Sequence, residues 1–182
     1  MVTGTTEIDG AAVVVRDFAN TLDIELGTDQ LDSTESLTRW LRRSGLAPDA
    51  DVASAAELDL ARRLRSGLRE ALRLNHDGET GPIPDLDAAL DLLPVRLVWD
   101  GRAPELSASA AGVLGGLARV ALSAHQAVAA GDWARLKICA LDECSFAYYD
   151  RSKNRSRAYC ESGCSNKVKT RAYRARQREA AR

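Results

Sequence analysis

All four cysteines of this 182-residue chain fall within one stretch, CALDECSFAYYDRSKNRSRAYCESGC, as Cys139, Cys144, Cys160 and Cys164. Their spacing is C-x4-C-x15-C-x3-C, two close pairs joined by a longer segment. Such pairs match the way one tetrahedral ion is held between two turns of backbone. Thiolates are soft ligands, and Zn2+ is the commonest ion in a closed four-sulfur site. A mononuclear iron centre or an iron–sulfur cluster also needs four cysteines and is the rival reading. Two disulfides would require an oxidising compartment. Four thiolates leave no position for a reactive water, so the single zinc ion expected here is structural. Function must then lie in the residues that the metal positions.

Those residues are mainly basic. Between the pairs, Phe146, Tyr148 and Tyr149 suggest a short strand, followed by the polar turn DRSKNRSR with Arg151, Lys153, Arg155 and Arg157. After Cys160 the pattern is helical, and cysteines four apart place the second pair in the first turn. There the positive end of the helix dipole favours thiolates. At a helical period, Lys167, Arg171, Arg174 and Arg178 fall within about 60° of one another. Val168, Ala172 and Ala175 form an adjoining apolar flank, predicted to dock on the module. After Glu161 the one further acid is Glu179, whereas solvated helices usually interleave both signs. A basic stripe of this kind suits the phosphates of duplex DNA, with the turn's cations on a second stretch of backbone.

The remaining chain must carry this module. Val14, Phe18, Leu22 and Leu26 predict a helix from Ala11 to about Glu25, stopped by Gly27. Asp32 followed by Glu35 marks a second start, and LTRWLRRSGL runs to Gly45. Ser54 with Glu57 forms a capping box ahead of a long helix carrying Leu60, Leu64, Leu68 and Leu72, which ends between Asn75 and Gly78. Pro84 or Asp85 opens a short helix through Leu93. PVRLVWD alternates at the period of a strand and, with a second strand near Glu105 to Ser109, predicts a hairpin. A helix of small residues spans Ala110 to Ala130, in which GVLGGLA permits close packing. Trp40, Trp99 and Trp133 are expected in the core. The fold class is therefore mainly α with a small β-hairpin (α+β), and the expected division is a helical domain over 1–134 and a treble-clef-like zinc module over 135–182.

Charge divides along the same line. From Lys137 onward there are 12 Lys/Arg against 5 Asp/Glu, while residues 1–136 hold 13 against 21. Apolar residues make up 45% of the chain, enough for a core. The opening MVTGTTEIDG lacks the basic and apolar regions of a secretory signal, and no run is apolar enough for a membrane span, so a cytoplasmic protein is expected. His76 and His125 stand near no motif-placed nucleophile, and no phosphate-cradling glycine loop occurs, so catalysis is not expected. Other readings are an adaptor whose finger docks on an acidic protein, and an RNA-binding module in which Phe146, Tyr148 and Tyr149 stack on bases. Oxidative release of zinc is compatible with any of these. The N-terminal domain would sense a small-molecule effector or pair into a homodimer, which would raise specificity through two half-sites. Asn20 either lines a ligand pocket or fixes packing through a hydrogen bond.

The segment from Arg135 to Gln177 resembles the CGNR zinc finger family. The pieces that carry the likeness are Arg135-Leu-Lys137-Ile-Cys139, Phe146, Asp150-Arg-Ser152, Asn154-Arg-Ser156-Arg157, Tyr159-Cys160 and Cys164-Ser-Asn166-Lys167. DFANTLD (17–23) and LTRWLRRSGL (37–46) resemble the helical domain that accompanies this finger, described as a putative stress-induced transcription regulator. The likeness implies a zinc-binding bacterial regulator of transcription. Where the family has Gly-Asn-Arg, this chain has Ser165-Asn166-Lys167. Lysine keeps the charge but loses the planar fork that grips guanine, leaving a phosphate contact at Lys167.

Overall fold

The computed structural model describes residues 10–161 and 163–180. The segment read above for a secretory signal lies, but for Gly10, outside the described residues. Helix α1 (Gly10–Ala19) leads into a short antiparallel pair, β1 (Leu22–Asp23) and β2 (Thr28–Asp29). Helices α2 (Thr34–Arg43), α3 (Ala55–Asp77) and α4 (Pro84–Leu90) follow. A hairpin of β3 (Val95–Trp99) and β4 (Pro104–Ala108) precedes α5 (Gly112–Ala129). The chain closes with β5 (Leu136–Ile138), β6 (Ala147–Tyr149) and α6 (Cys164–Ala180).

Local chemistry sets most of these boundaries. Ser54 Oγ accepts the Glu57 N–H while Glu57 Oε2 accepts the Ser54 N–H, and Gly78 at φ 71° ends α3. Helix α2 is capped by Ser33 and Ser36, not by Asp32 and Glu35. Asp32 instead accepts the Ser36 hydroxyl at 2.6 Å and supports the cap from outside. Helix α1 stops six residues earlier than its apolar spacing predicts. Thr21 turns its hydroxyl back to the Phe18 carbonyl at 2.7 Å, and Asn20 spends its amide on another element. Such side-chain bonds compete with helical backbone bonds, and Gly27 serves as the β1–β2 turn at φ 65°.

Phe18, Leu37, Leu41, Leu64 and Leu117 form the main core of α1, α2, α3 and α5. Close approach is required at Gly116, where an added Cβ would stand 3.1 Å from Ala47 Cβ and Leu41 Cδ2. Gly116 of GVLGGLA thus does serve close helix packing. Trp40 and Trp133 pack half-buried at the edge of the core, and the Trp40 ring tilts on Phe18 at 5.2 Å. Trp99 is not in the core. It is 69% exposed and Leu97 66%, because β3 pairs them with Pro104 and Leu106 on the open face of a two-stranded hairpin.

A second cluster crosses from the helical part into the C-terminal part. Val15, Ala19 and Leu72 pack against Leu136, Ile138, Ala147 and Tyr149. Polar side chains cross with it. Asn20 donates to the Ala147 carbonyl at 2.9 Å and accepts the Ala147 N–H at 2.7 Å, adding an amide to the edge of β6. Arg69 ties the Ala19 carbonyl to that of Ser145, and Asn75 reaches the Trp133 and Leu136 carbonyls.

Candidate zinc centre and basic helix

Strand β5 delivers Cys139, and a tight turn closed by the Ser145 N–H on the Leu141 carbonyl delivers Cys144. The Cys139 N–H is bonded to the Phe146 carbonyl at 2.9 Å, completing a zinc knuckle on the β5–β6 hairpin. Cys160 comes from the loop that returns after β6, and Cys164 is the first residue of α6. This corrects the expectation that the second pair shares a helical turn: Gly163 at φ 79° intervenes, so only Cys164 is helical. A knuckle on a hairpin facing the N-terminus of a helix is the treble-clef-like arrangement expected from the sequence.

The four sulfurs lie within 4.8 Å of one another and are all buried. Cys160 Sγ stands 3.6 Å from both Cys144 Sγ and Cys164 Sγ. Zinc bonds of about 2.3 Å in a tetrahedron require sulfurs about 3.8 Å apart, so the residues fit the ion. Burial pushes the Cys144 and Cys164 thiols up, and only a cation among them makes thiolates stable there. Leu141, Tyr148 and half-buried Phe146 and Val168 wall the site from water. The chain carries a four-cysteine site for one structural zinc ion.

The turn between the pairs is organised by a buried ion pair. Asp150 is fully buried and Lys137 nearly so, with Lys137 Nζ 3.0 Å from Asp150 Oδ2. Asp150 also accepts the Ser152 hydroxyl and N–H at Oδ1 and the Arg157 N–H at Oδ2. Burial alone would raise its pKa. The hydrogen bonds from Ser152 and Lys137, with the backbone N–H groups, outweigh it and bring the carboxyl down to about 2. Lys137 also donates to the Arg155 carbonyl, and Arg135 donates to the carbonyls of Asp150 and Ser152. Spacing alone gave no role to Arg135, Lys137, Asp150 or Ser152. Their signal was present only as pieces of the family pattern, and the structure supplies its physical reason: they fold the turn that carries the basic residues.

The eight basic residues singled out from the sequence are not equivalent. Lys153, Arg155, Arg174 and Arg178 are exposed and have no carboxylate partner among the described residues. Lys167 is paired with Glu25 from the β1–β2 turn, and Arg171 grips Glu143 with two bonds of 2.9 and 2.8 Å. Arg157 bonds the Tyr159 carbonyl and Glu161, within its own loop. Arg151 lines a cleft between the helical part and the zinc module. The apolar flank of α6 docks only at Val168. Ala172 and Ala175 are exposed, as is every residue from Lys169 to Ala180, although Arg171 reaches back to Glu143 of the module. Stacking on RNA bases is not available to Tyr148 and Tyr149. Each is only 6% exposed, and their hydroxyls are held by the Arg157 carbonyl and Asp132.

Two family profiles match the chain. The CGNR zinc finger covers residues 135–177, and the ABATE family, described as a putative stress-induced transcription regulator, covers residues 12–137. The chain belongs to the ABATE family. The finger profile takes in all four cysteines and the buried clamp around Asp150. The ABATE profile runs from within α1 into β5 and includes Asn20, Arg69 and Asn75, the side chains that reach the zinc module or the strand leading into it. A search of curated proteins returns no match. Among the described residues no helix is long and apolar enough to cross a membrane.

Proposed function

We propose that this ABATE–CGNR chain regulates transcription by binding duplex DNA through α6, with no catalytic step. The observation that carries this reading is α6 itself. It has seventeen residues, six of them Lys or Arg and one Glu, and beyond Val168 none is covered. A helix polar on all sides gains little from packing, and a polyanion supplies the missing partner. The major groove, about 12 Å wide, admits such a helix. The buried zinc fixes its first residue, and the clamped turn offers Lys153 and Arg155 as a second phosphate contact. We assign phosphates to Lys153, Arg155, Arg174 and Arg178. The helical domain acts as the sensing or pairing unit, two copies would read two half-sites, and the reducing cytoplasm keeps the thiols available to zinc.

The test is binding of the zinc-loaded chain to labelled duplex DNA across a salt series. Four phosphates predict a log–log slope of about −3.6. Absence of binding at about 50 mM salt would remove DNA as the partner and leave α6 to an acidic protein surface.

A further inference from the structure

A cleft of about 670 Å3 opens between the helical part and the zinc module, within the range that holds small ligands. Asn20, Leu26, Gln30 and Trp40 lie on one wall, and Phe146 and Arg151 on the other. The acids of the lining are already satisfied. Asp17 is paired with Arg16, Glu161 with Arg157, and Asp23 accepts the Leu26 N–H and faces Arg69. Arg151 has no carboxylate among the described residues, and neither the Gln30 amide nor the Trp40 indole N–H has a partner there. The cleft therefore offers one uncompensated guanidinium, two unused polar groups and two partly exposed aromatic rings.

We propose that this cleft binds a small planar carboxylate, such as an aromatic acid. Its carboxylate would take the planar fork of Arg151, which matches two oxygens at once. Its ring would lie against Trp40 and Phe146. Because the walls come from both parts of the chain, a bound ligand bridges them. The inference is independent of nucleic-acid binding, and its test contains none.

The probe is benzoate, titrated into the 15N-labelled, zinc-loaded full chain, with neutral benzamide in parallel. A ligand of about nine non-hydrogen atoms reaches roughly millimolar affinity. The expected result is saturable shifts of the Trp40 indole N–H and of the Phe146 and Arg151 amides, with benzamide at least tenfold weaker. In R151A the benzoate affinity should fall at least tenfold, while zinc content and thermal midpoint stay as in the parent. Q30A supplies a second, milder loss in case R151A disturbs the turn. No saturable shift up to about 20 mM benzoate, or equal shifts with benzamide, would overturn the proposal.

Discussion

Glu25 and Glu143 occupy the two cations at the start of α6, and their removal should change how DNA binding responds to salt. When Lys167 leaves Glu25 for a phosphate, the DNA releases a counterion but the bare carboxylate takes one up. Net release is then close to zero, and the same holds for Arg171 and Glu143. The parental slope counts only the four cations assigned to phosphates, about −3.6 at 0.9 each. In E25Q or E143Q the uptake is abolished, so each substitution should steepen the slope by about 0.9, and the double variant should reach about −5.4. Affinity at about 50 mM salt should rise accordingly. Fluorescence anisotropy of a labelled duplex, read between about 50 and about 200 mM salt, measures both quantities. Exposed pairs contribute little to folding, so thermal midpoints should be unchanged and the effect confined to binding. K167Q, which removes cation and exchange together, should leave the slope near the parental value. A double variant with the parental slope would refute the argument, because the two acids would then not be counterions of the DNA-facing helix.

Two further outcomes follow from the zinc module. Asp150→Asn leaves Lys137 buried without its charge partner and should cost about 3 kcal/mol or more. The D150N/K137M pair should recover over half of that in a urea-denaturation double-mutant cycle, and a D150N loss under about 1 kcal/mol would contradict the clamp. Since burial raises the thiols of Cys144 and Cys164, both are protonated at neutral pH without metal. Zinc binding should therefore release at least two protons per ion at pH 7, and apparent affinity should rise with pH. Calorimetry in buffers of different ionisation enthalpy measures this, and release of fewer than about one proton would exclude buried, protonated ligands.

The metal site was legible because thiolate coordination depends on residue type and spacing, and both are written in the chain. Helices with polar caps were legible for the same reason: Ser54, Glu57 and Gly78 declare the ends of α3 locally. Helix α1 was overextended because Leu22 and Leu26 keep helical spacing while the signal that stops it is non-local. Asn20 ends the helix by bonding Ala147, 127 residues away. The same blindness placed Trp99 in the core, since period-two alternation marks an apolar face without saying what covers it. It also made the eight basic residues look alike. Their differences arise from acids brought beside them by the fold, Glu25 and Glu143 above all, and charge counts along the chain cannot register those encounters.

The β1–β2 turn spans from the helical core to the start of α6. Leu26 of this turn lines the cleft, its neighbour Glu25 holds Lys167, and Asp29 of β2 is locked to the buried Arg65 of α3 through two bonds of 2.5 and 2.8 Å. The far end of the turn is thus anchored in the helical core while its tip reaches the start of α6. Beside the turn, Asn20 and Arg69 hold β6 and the knuckle at Ser145. The zinc module therefore has two kinds of tie to the helical part. Buried bonds at β6 fix its position, and one exposed ion pair, Lys167 with Glu25, joins its helix to the β1–β2 turn. Only the second can be altered without unpacking the core.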